Sequence, residues 1–335
     1  MTSRDLAYYL LRANFDSVES RYCHVPEKRP DDGVARYEYD HIVTGLEEGE
    51  EGRARVSFRK HDGTKGIIIG DLVIGADGPS STVRGIFHPE VERKLVGYCA
   101  LRGTVPEDEA SPSAKEAFQE RFTFFHADGI QILAYLVPGK DGSIQRGERL
   151  INFVWYCNFP EDSPEFEELM TDVDGVRHRI TLPPGKMKSS VWDKQKMVAR
   201  TRMPPQFAEI IAKTKFPFVQ AITDVISPEN SFMDGKALLI GRALAGFRPH
   251  TVASTSQAAY HAMMVADLVS GKVTHDDYVQ ETMQFAPLLQ DRREDGYPQS
   301  VWQGRAFEGT YCRQEPGFDA KARRSLSQVD EGKLT

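Results

Sequence analysis

The chain has 335 residues, 40% hydrophobic and 27% charged, with a formal net charge of −7 at pH 7. That length suffices for one large domain or two lobes around a sizeable core, and the acidic balance excludes a general nucleic-acid binder and offers no basic patch to anionic lipid. Cys23, Cys99, Cys157 and Cys312 form no CxxC, which excludes a disulfide framework or cysteine zinc site and points to a reducing, cytoplasmic setting.

No apolar run approaches the ~20 residues needed to cross a bilayer, so no integral membrane segment is expected. No signal peptide is expected ahead of Arg4. The histidines are scattered without an HExxH pattern, so no metal site is expected. In chain order, residues 3–14 predict an amphipathic helix capped by Ser3, with Leu6, Tyr9, Leu10 and Ala13 on one face. Strands are expected at 35–43 and 53–59, around a solvated Glu-rich turn over 45–52.

Residues 71–84, DLVIGADGPSSTVR, are the most informative stretch. A strand (Leu72, Val73, Ile74) enters the turn Gly75-Ala76-Asp77-Gly78-Pro79, and Ser81 then caps a helix carrying Arg84. Strand, carboxylate-bearing turn and helix N-terminus come together at one sheet edge, where nucleotides tend to bind. A purely structural turn has the same pattern.

Residues 97–105, 121–137 and 149–159 read as strands. In the last, Ile151, Phe153, Trp155 and Cys157 alternate with Asn152, Val154 and Tyr156. They predict a mixed or antiparallel sheet inserted between two nucleotide-type segments. Helices at 205–213 and 217–226 are expected to lead to a strand at 236–240 and a long helix at about 254–268. Residues 314–335 are polar, charged and expected to be mobile.

The strand KALLIG runs into Arg242 and then ALAGFRPHTVASTSQAAYHAMMVADLV. Together with GADGxxSxVR, matched by Gly75, Ala76, Asp77, Gly78, Ser81, Val83 and Arg84, it resembles the flavin-dependent aromatic hydroxylases of the p-hydroxybenzoate hydroxylase type. Arg248-Pro249-His250, YLVPG at 135–139 and NFVWY at 152–156 are similar to the dihydroxypyridine hydroxylase branch and its fungal relatives.

The resemblance implies an α/β fold with α+β lobes. An incomplete FAD-binding Rossmann-like domain (1–95 and 230–272) would carry an inserted substrate-binding domain (96–229). A C-terminal helical segment (273–313) and the tail (314–335) would follow. It also implies FAD and NAD(P)H as cofactors and hydroxylation of an electron-rich aromatic or N-heterocyclic small molecule with O2.

On that resemblance, cofactor binding falls to Asp77, Gly78, Arg84, Arg12, Gly241, Arg242, Arg248, Pro249 and Ser254. His250 is the catalytic candidate, bonding the substrate or helping to deprotonate its hydroxyl. Tyr98, Arg102, Tyr135, Trp155 and Tyr156 are the substrate-lining candidates. Each has a plainer reading: a solvated helix face for Arg12, a surface ion pair for Arg102, ordinary core for the aromatics.

This sequence departs from the family pattern in several places. No GxGxxG occurs in it, Arg242 stands where the family has Asp, Ser254 where many members have Gly, and His261 where many have Asp. An aspartate accepts hydrogen bonds from ribityl hydroxyls, whereas a guanidinium only donates. A homodimer or a separate N-terminal half is therefore a partner to expect beside the small substrate. The rival reading is a flavin-free binding, accessory or ring-closing descendant, or a truncated inactive form.

Overall fold

The computed structural model describes residues 3–246 and 253–284. Helix α1 (Arg4–Asp16) begins where Ser3 accepts the Leu6 N–H at 3.1 Å, as its capping pattern predicts. Strands β1 (Ile42–Glu48), β2 (Ala54–Arg59) and β3 (Lys65–Gly70) form an antiparallel meander.

This meander corrects two expectations. The strand expected at 35–43 begins only at Ile42, and the expected turn at 45–52 is strand as far as Glu48 and a short 3-10 turn at Glu50–Gly52. A register shift between Val43 and Gly45 places Leu46 in the core, while Glu47 and Glu48 stay on the pairing strand as solvent-facing residues.

Strand β4 (Val73–Gly75) and helix α2 (Thr82–Phe87) follow the predicted strand–turn–helix layout. Then come β5 (Lys94–Pro106), α3 (Pro112–Phe118), β6 (Thr123–Ala127), β7 (Ile130–Val137) and β8 (Leu150–Asn158). The segment at 121–137 is a hairpin, folded back at Asp128-Gly129. Helix α4 (Pro164–Met170), strand β9 (Thr181–Leu182) and helices α5 (Ser189–Arg202) and α6 (Pro205–Lys213) complete this lobe's outer layer.

The helix expected at 217–226 is instead strand β10 (Phe218–Ile226), paired with β5. Its β-branched residues Val219, Ile222, Thr223, Val225 and Ile226 suit a pleated interior strand better than a helix. Strands β11 (Ser231–Phe232) and β12 (Ala237–Leu239) lead to helix α7 (Gly241–Leu244) and β13 (Ala245–Gly246). Helices α8 (Ala253–Val269) and α9 (His275–Gln284) follow.

The large sheet runs β13-β10-β5-β8-β7-β6, with β9 added beside β10. All of its pairings are antiparallel, which resolves the expected "mixed or antiparallel" sheet. One face carries Cys99, Leu101, Ile132, Ala134, Ile151, Phe153 and Trp155 into a single core with α3 to α6. The smaller sheet has the order β11-β12-β4, with β12 and β4 parallel. Ala237 and Leu239 pack toward the α2 side and Leu238 toward α8 and α9, so β12 is covered on both faces, as a parallel strand requires.

Candidate functional site

Because β4 and β12 are parallel and paired Val73 to Ala237 and Gly75 to Leu239, their C-terminal ends lie side by side. The turn at Gly75 to Pro79 and the turn at Gly241-Arg242 therefore share one edge of the sheet, where open α/β sheets hold ligands. Ile240 N–H donates to the Gly75 carbonyl at 3.0 Å and ties the two turns together. Gly75 permits this close approach: a Cβ there would lie 2.7 Å from Leu239 Cδ2 and 3.0 Å from Val83 Cβ.

The polar groups of the first turn are largely used internally. Asp77 Oδ2 accepts the N–H groups of Thr82 (2.6 Å) and Val83 (3.2 Å), and Ser81 Oγ accepts that of Arg84 (3.0 Å). Asp77 is thus a second cap on α2. Arg84 is buried and donates through its two Nη groups to the carbonyls of Ala243 and Pro79, each at 2.7 Å. Burial pushes its pKa down, opposed by Asp77. Arg84 pins the two turns together through these backbone carbonyls.

Arg12, the cofactor candidate on α1, is engaged within its own helix and by nearby tyrosines. It forms a two-pronged pair with Asp16 at 2.8 and 2.7 Å, and its guanidinium lies 3.7 Å from the Tyr37 ring centroid. Tyr8 and Tyr39 accept its remaining donor. The hydrogen bond to Asp16 pushes the Arg12 pKa up. A depression of about 400 Å³ lies beside this cluster, lined by Arg4, Asp5, Tyr8, Tyr9 and Tyr22, apart from the paired strand ends.

Other groups at the strand ends have open valences. Gly78 adopts φ +79°, and among the described residues nothing lies within 4 Å of where a Cβ would sit. Arg242 opens α7, and its buried Nε has no partner among the described residues. Burial pushes the Arg242 pKa down, and Arg102 adds to the effect. Gly241 N–H donates to Nδ1 of the buried His261 at 3.0 Å. Ser254, half-buried, lies in the first turn of α8, and Gln257 one turn later is fully buried with both amide atoms unpartnered among the described residues.

The substrate candidates divide by strand parity. Tyr98, Tyr135 and Tyr156 share the second face of the large sheet with Ala100, Leu133, Val154 and Ile222. The Tyr98 and Tyr156 rings meet edge to face at 5.9 Å, and Phe122 stacks on Tyr135 at 4.7 Å. Arg102, two residues beyond Ala100 on β5, lies on the same face, opposite Val154. Burial pushes the Tyr135 and Tyr156 pKa values up, with Arg102 drawing both down. Trp155 points the other way from these tyrosines, 1% exposed within the helix-covered core.

Arg248, Pro249 and His250 lie outside the described residues. Sequence reasoning missed Gln257 and Arg93; a lone glutamine within a small-residue helix was the one available signal for the first. Among the described residues, no cluster of His, Cys, Asp or Glu is arranged to hold a metal ion, and no helix is long and apolar enough to cross a membrane. An unobstructed positive-φ turn, an orphaned buried amide and paired strand ends fit a flat dinucleotide such as FAD.

Known proteins resemble the chain in sequence and in fold. Residues 95–224 match the family described as FAD binding domain-like. The chain is 30% identical over 241 residues to a 2,6-dihydroxypyridine 3-monooxygenase of Paenarthrobacter nicotinovorans, covering 70% of this chain and 56% of that relative. The chain thus spans little more than half of that relative's length.

The structure of 2,6-dihydroxypyridine-3-hydroxylase from Arthrobacter nicotinovorans superposes with a TM-score of 0.70 at 26% identity, covering 86% of this chain and 69% of that one. A salicylate hydroxylase substrate complex shares the fold, with a TM-score of 0.53 at 20% identity over 89% of this chain and 67% of that one.

Proposed function

We propose, starting from this chain's relationship to the FAD-dependent aromatic hydroxylases, that it takes part in hydroxylating an electron-rich aromatic or N-heterocyclic small molecule. The observation that carries the reading is the pairing of the strand ends that lead into Gly78 and Gly241, beside which the large sheet carries a face of Tyr98, Tyr135, Tyr156 and Arg102. Bound FAD, reduced by NAD(P)H, would supply the oxygen-transfer chemistry. Gly78, Gly241, Ser254 and Gln257 would hold the dinucleotide, while Asp77 and Arg84 keep the turns that present it in register.

The tyrosine face would orient the ring and exclude water. On the sequence resemblance, Arg248, Pro249 and His250 border the flavin in this proposal, with His250 handling the substrate's hydroxyl proton. The division into a nucleotide lobe (1–95 and 230–272) and a substrate lobe (96–229) belongs to the same reading. So does a cytoplasmic setting, supported by the free thiols of Cys23, Cys99 and Cys157. A homodimer or a separate strand–turn–helix unit would complete the nucleotide sheet. Strand β4 is an edge in that sheet, with Ile74 42% exposed.

The test is titration of the purified chain with FAD. Flavin absorbance near roughly 450 nm that stays with the protein through gel filtration is expected, followed by ring-dependent NAD(P)H oxidation. A folded, monodisperse chain that retains no flavin refutes independent activity.

A further inference from the structure

Cys99 on β5 and Cys157 on β8 stand directly opposite each other in the antiparallel pairing of those strands. Cys99 is fully buried, and Cys157, next to last in β8, is partly exposed. Both turn to the helix-covered face of the large sheet, where Cys99 belongs to the core and Cys157 packs against it. Both are free thiols. On its other side Cys99 is paired with Ala221 of β10, whose methyl group offers no competing partner.

Facing positions of an antiparallel ladder lie about 4.5–5.5 Å apart at Cα, inside the span of about 4.4–6.8 Å that a disulfide bridges. Their Cβ atoms ordinarily stay about 4.5–5.5 Å apart, whereas a disulfide holds them at about 3.5–4.5 Å, so a bridge draws the two strands slightly together. Strand β5 has the give for this. Ala221 pairs with Cys99 and Thr223 with Leu95, so Val96, Gly97 and Tyr98 stand against Ile222 alone. Gly97 adopts φ +82° in this bulge, and among the described residues nothing lies within 4 Å of its Cβ position.

We infer that Cys99 and Cys157 form a redox modification site, a dithiol that hydrogen peroxide converts into a cross-strand disulfide tying β5 to β8. The Cys157 sulfur, nearer to solvent, attacks one peroxide oxygen. The S–O bond forms, the O–O bond breaks, and the second oxygen leaves as water with the thiol proton. The Cys99 sulfur then displaces the hydroxyl of this sulfenic acid, so that the S–S bond forms, the S–O bond breaks and a second water leaves. The two thiols together lose two electrons, and the peroxide is reduced to two waters.

Burial pushes the Cys99 thiol up to about 12 and holds that of Cys157 well above its ordinary range. The pair is therefore protonated at neutral pH and reacts slowly as separate thiols. What the fold adds is a second sulfur facing the first, which captures it once it is oxidised. Tyr98 and Tyr156 each precede one of these cysteines and lie on the opposite face, their rings 5.9 Å apart. The bond thus sits behind the tyrosine face, but its formation goes beyond the hydroxylase reading and needs neither flavin nor substrate.

The test exposes the full, folded chain to hydrogen peroxide, then unfolds it, alkylates the remaining thiols and maps them by mass spectrometry. Cys99 and Cys157 are expected in one linked peptide pair, lighter by two hydrogens and released by dithiothreitol. Cys157→Ser should remove the link and leave Cys99 alkylatable. In a chain unfolded in urea before peroxide is added, the preference for this pair over pairs with Cys23 or Cys312 should be lost.

The inference is overturned if Cys99 and Cys157 stay alkylatable throughout, or oxidise separately to sulfinic acids. Preferential linkage of either one to Cys23 or Cys312 in the folded chain overturns it as well. The mapping of the parent chain decides between these outcomes even where Cys157→Ser fails to fold. Flavin retention is measured separately, so the fate of the dithiol and that of the hydroxylase reading are distinguishable.

Discussion

His261 offers the sharpest quantitative test of the nucleotide-side architecture. It is fully buried on α8, with Nδ1 accepting the Gly241 N–H, and burial pushes its pKa down to about 4. A hydrogen bond with the Thr282 backbone pulls weakly the other way. In the unfolded chain the imidazole titrates near its ordinary value of about 6.5. Between those two pH values the unfolded chain binds the extra proton, so stability is complete above about 6.5 and falls as pH drops toward 4.

At ~1.36 kcal/mol per pH unit, the full interval corresponds to about 3 kcal/mol, of which about 2 kcal/mol is already lost at pH 5. His261→Asn keeps a δ-position acceptor for Gly241 and cannot titrate. Urea unfolding followed through the buried Trp155 and Trp192 should show the parent losing about 2 kcal/mol more than His261→Asn between pH 7.5 and 5.0. Parallel pH profiles would refute a neutral, buried His261 as the partner of Gly241.

Two further outcomes follow from packing. Gly75→Ala places a methyl group against Leu239 and Val83, and is expected to cost about 1–3 kcal/mol by overpacking; a neutral effect in thermal melts would mean that the β4–α2 contact is looser than described. Trp155→Ala should cost about 3–5 kcal/mol as a core cavity, because Trp155 is buried in the helix-covered core. A loss below about 1 kcal/mol in urea unfolding would mean that this core is packed more loosely than described.

Period-two alternation made the large sheet legible at the level of faces. The split of Ile151, Phe153 and Trp155 from Val154 and Tyr156 is the split found between the helix-covered core and the tyrosine face. Alternation cannot say which face meets the ligand, and lining roles assigned to both Trp155 and Tyr156 placed one residue on each side. The misreading of 217–226 has a similar origin. Its apolar spacing suits either period, and only pairing with β5 decides for the strand, as the run of β-branched residues hints.

Residue identity at the nucleotide edge was more legible than residue role. The motif pattern marks Asp77 and Arg84, but hydrogen-bond partners decide what they do. The Asp77 carboxylate accepts from the start of α2 and becomes its cap, and the buried Arg84 guanidinium donates to the carbonyls of nearby Pro79 and of Ala243, which lies 159 residues further along the chain. The other arginines show the converse. Arg93, Arg102, Arg179 and Arg242 are scattered over the approach to β5, β5 itself, the approach to β9 and α7, and no local pattern groups them. Only the fold brings Arg93 within reach of Thr223 on β10 and Ser80 in the β4–α2 turn, so its bridging role could not be read from any local pattern.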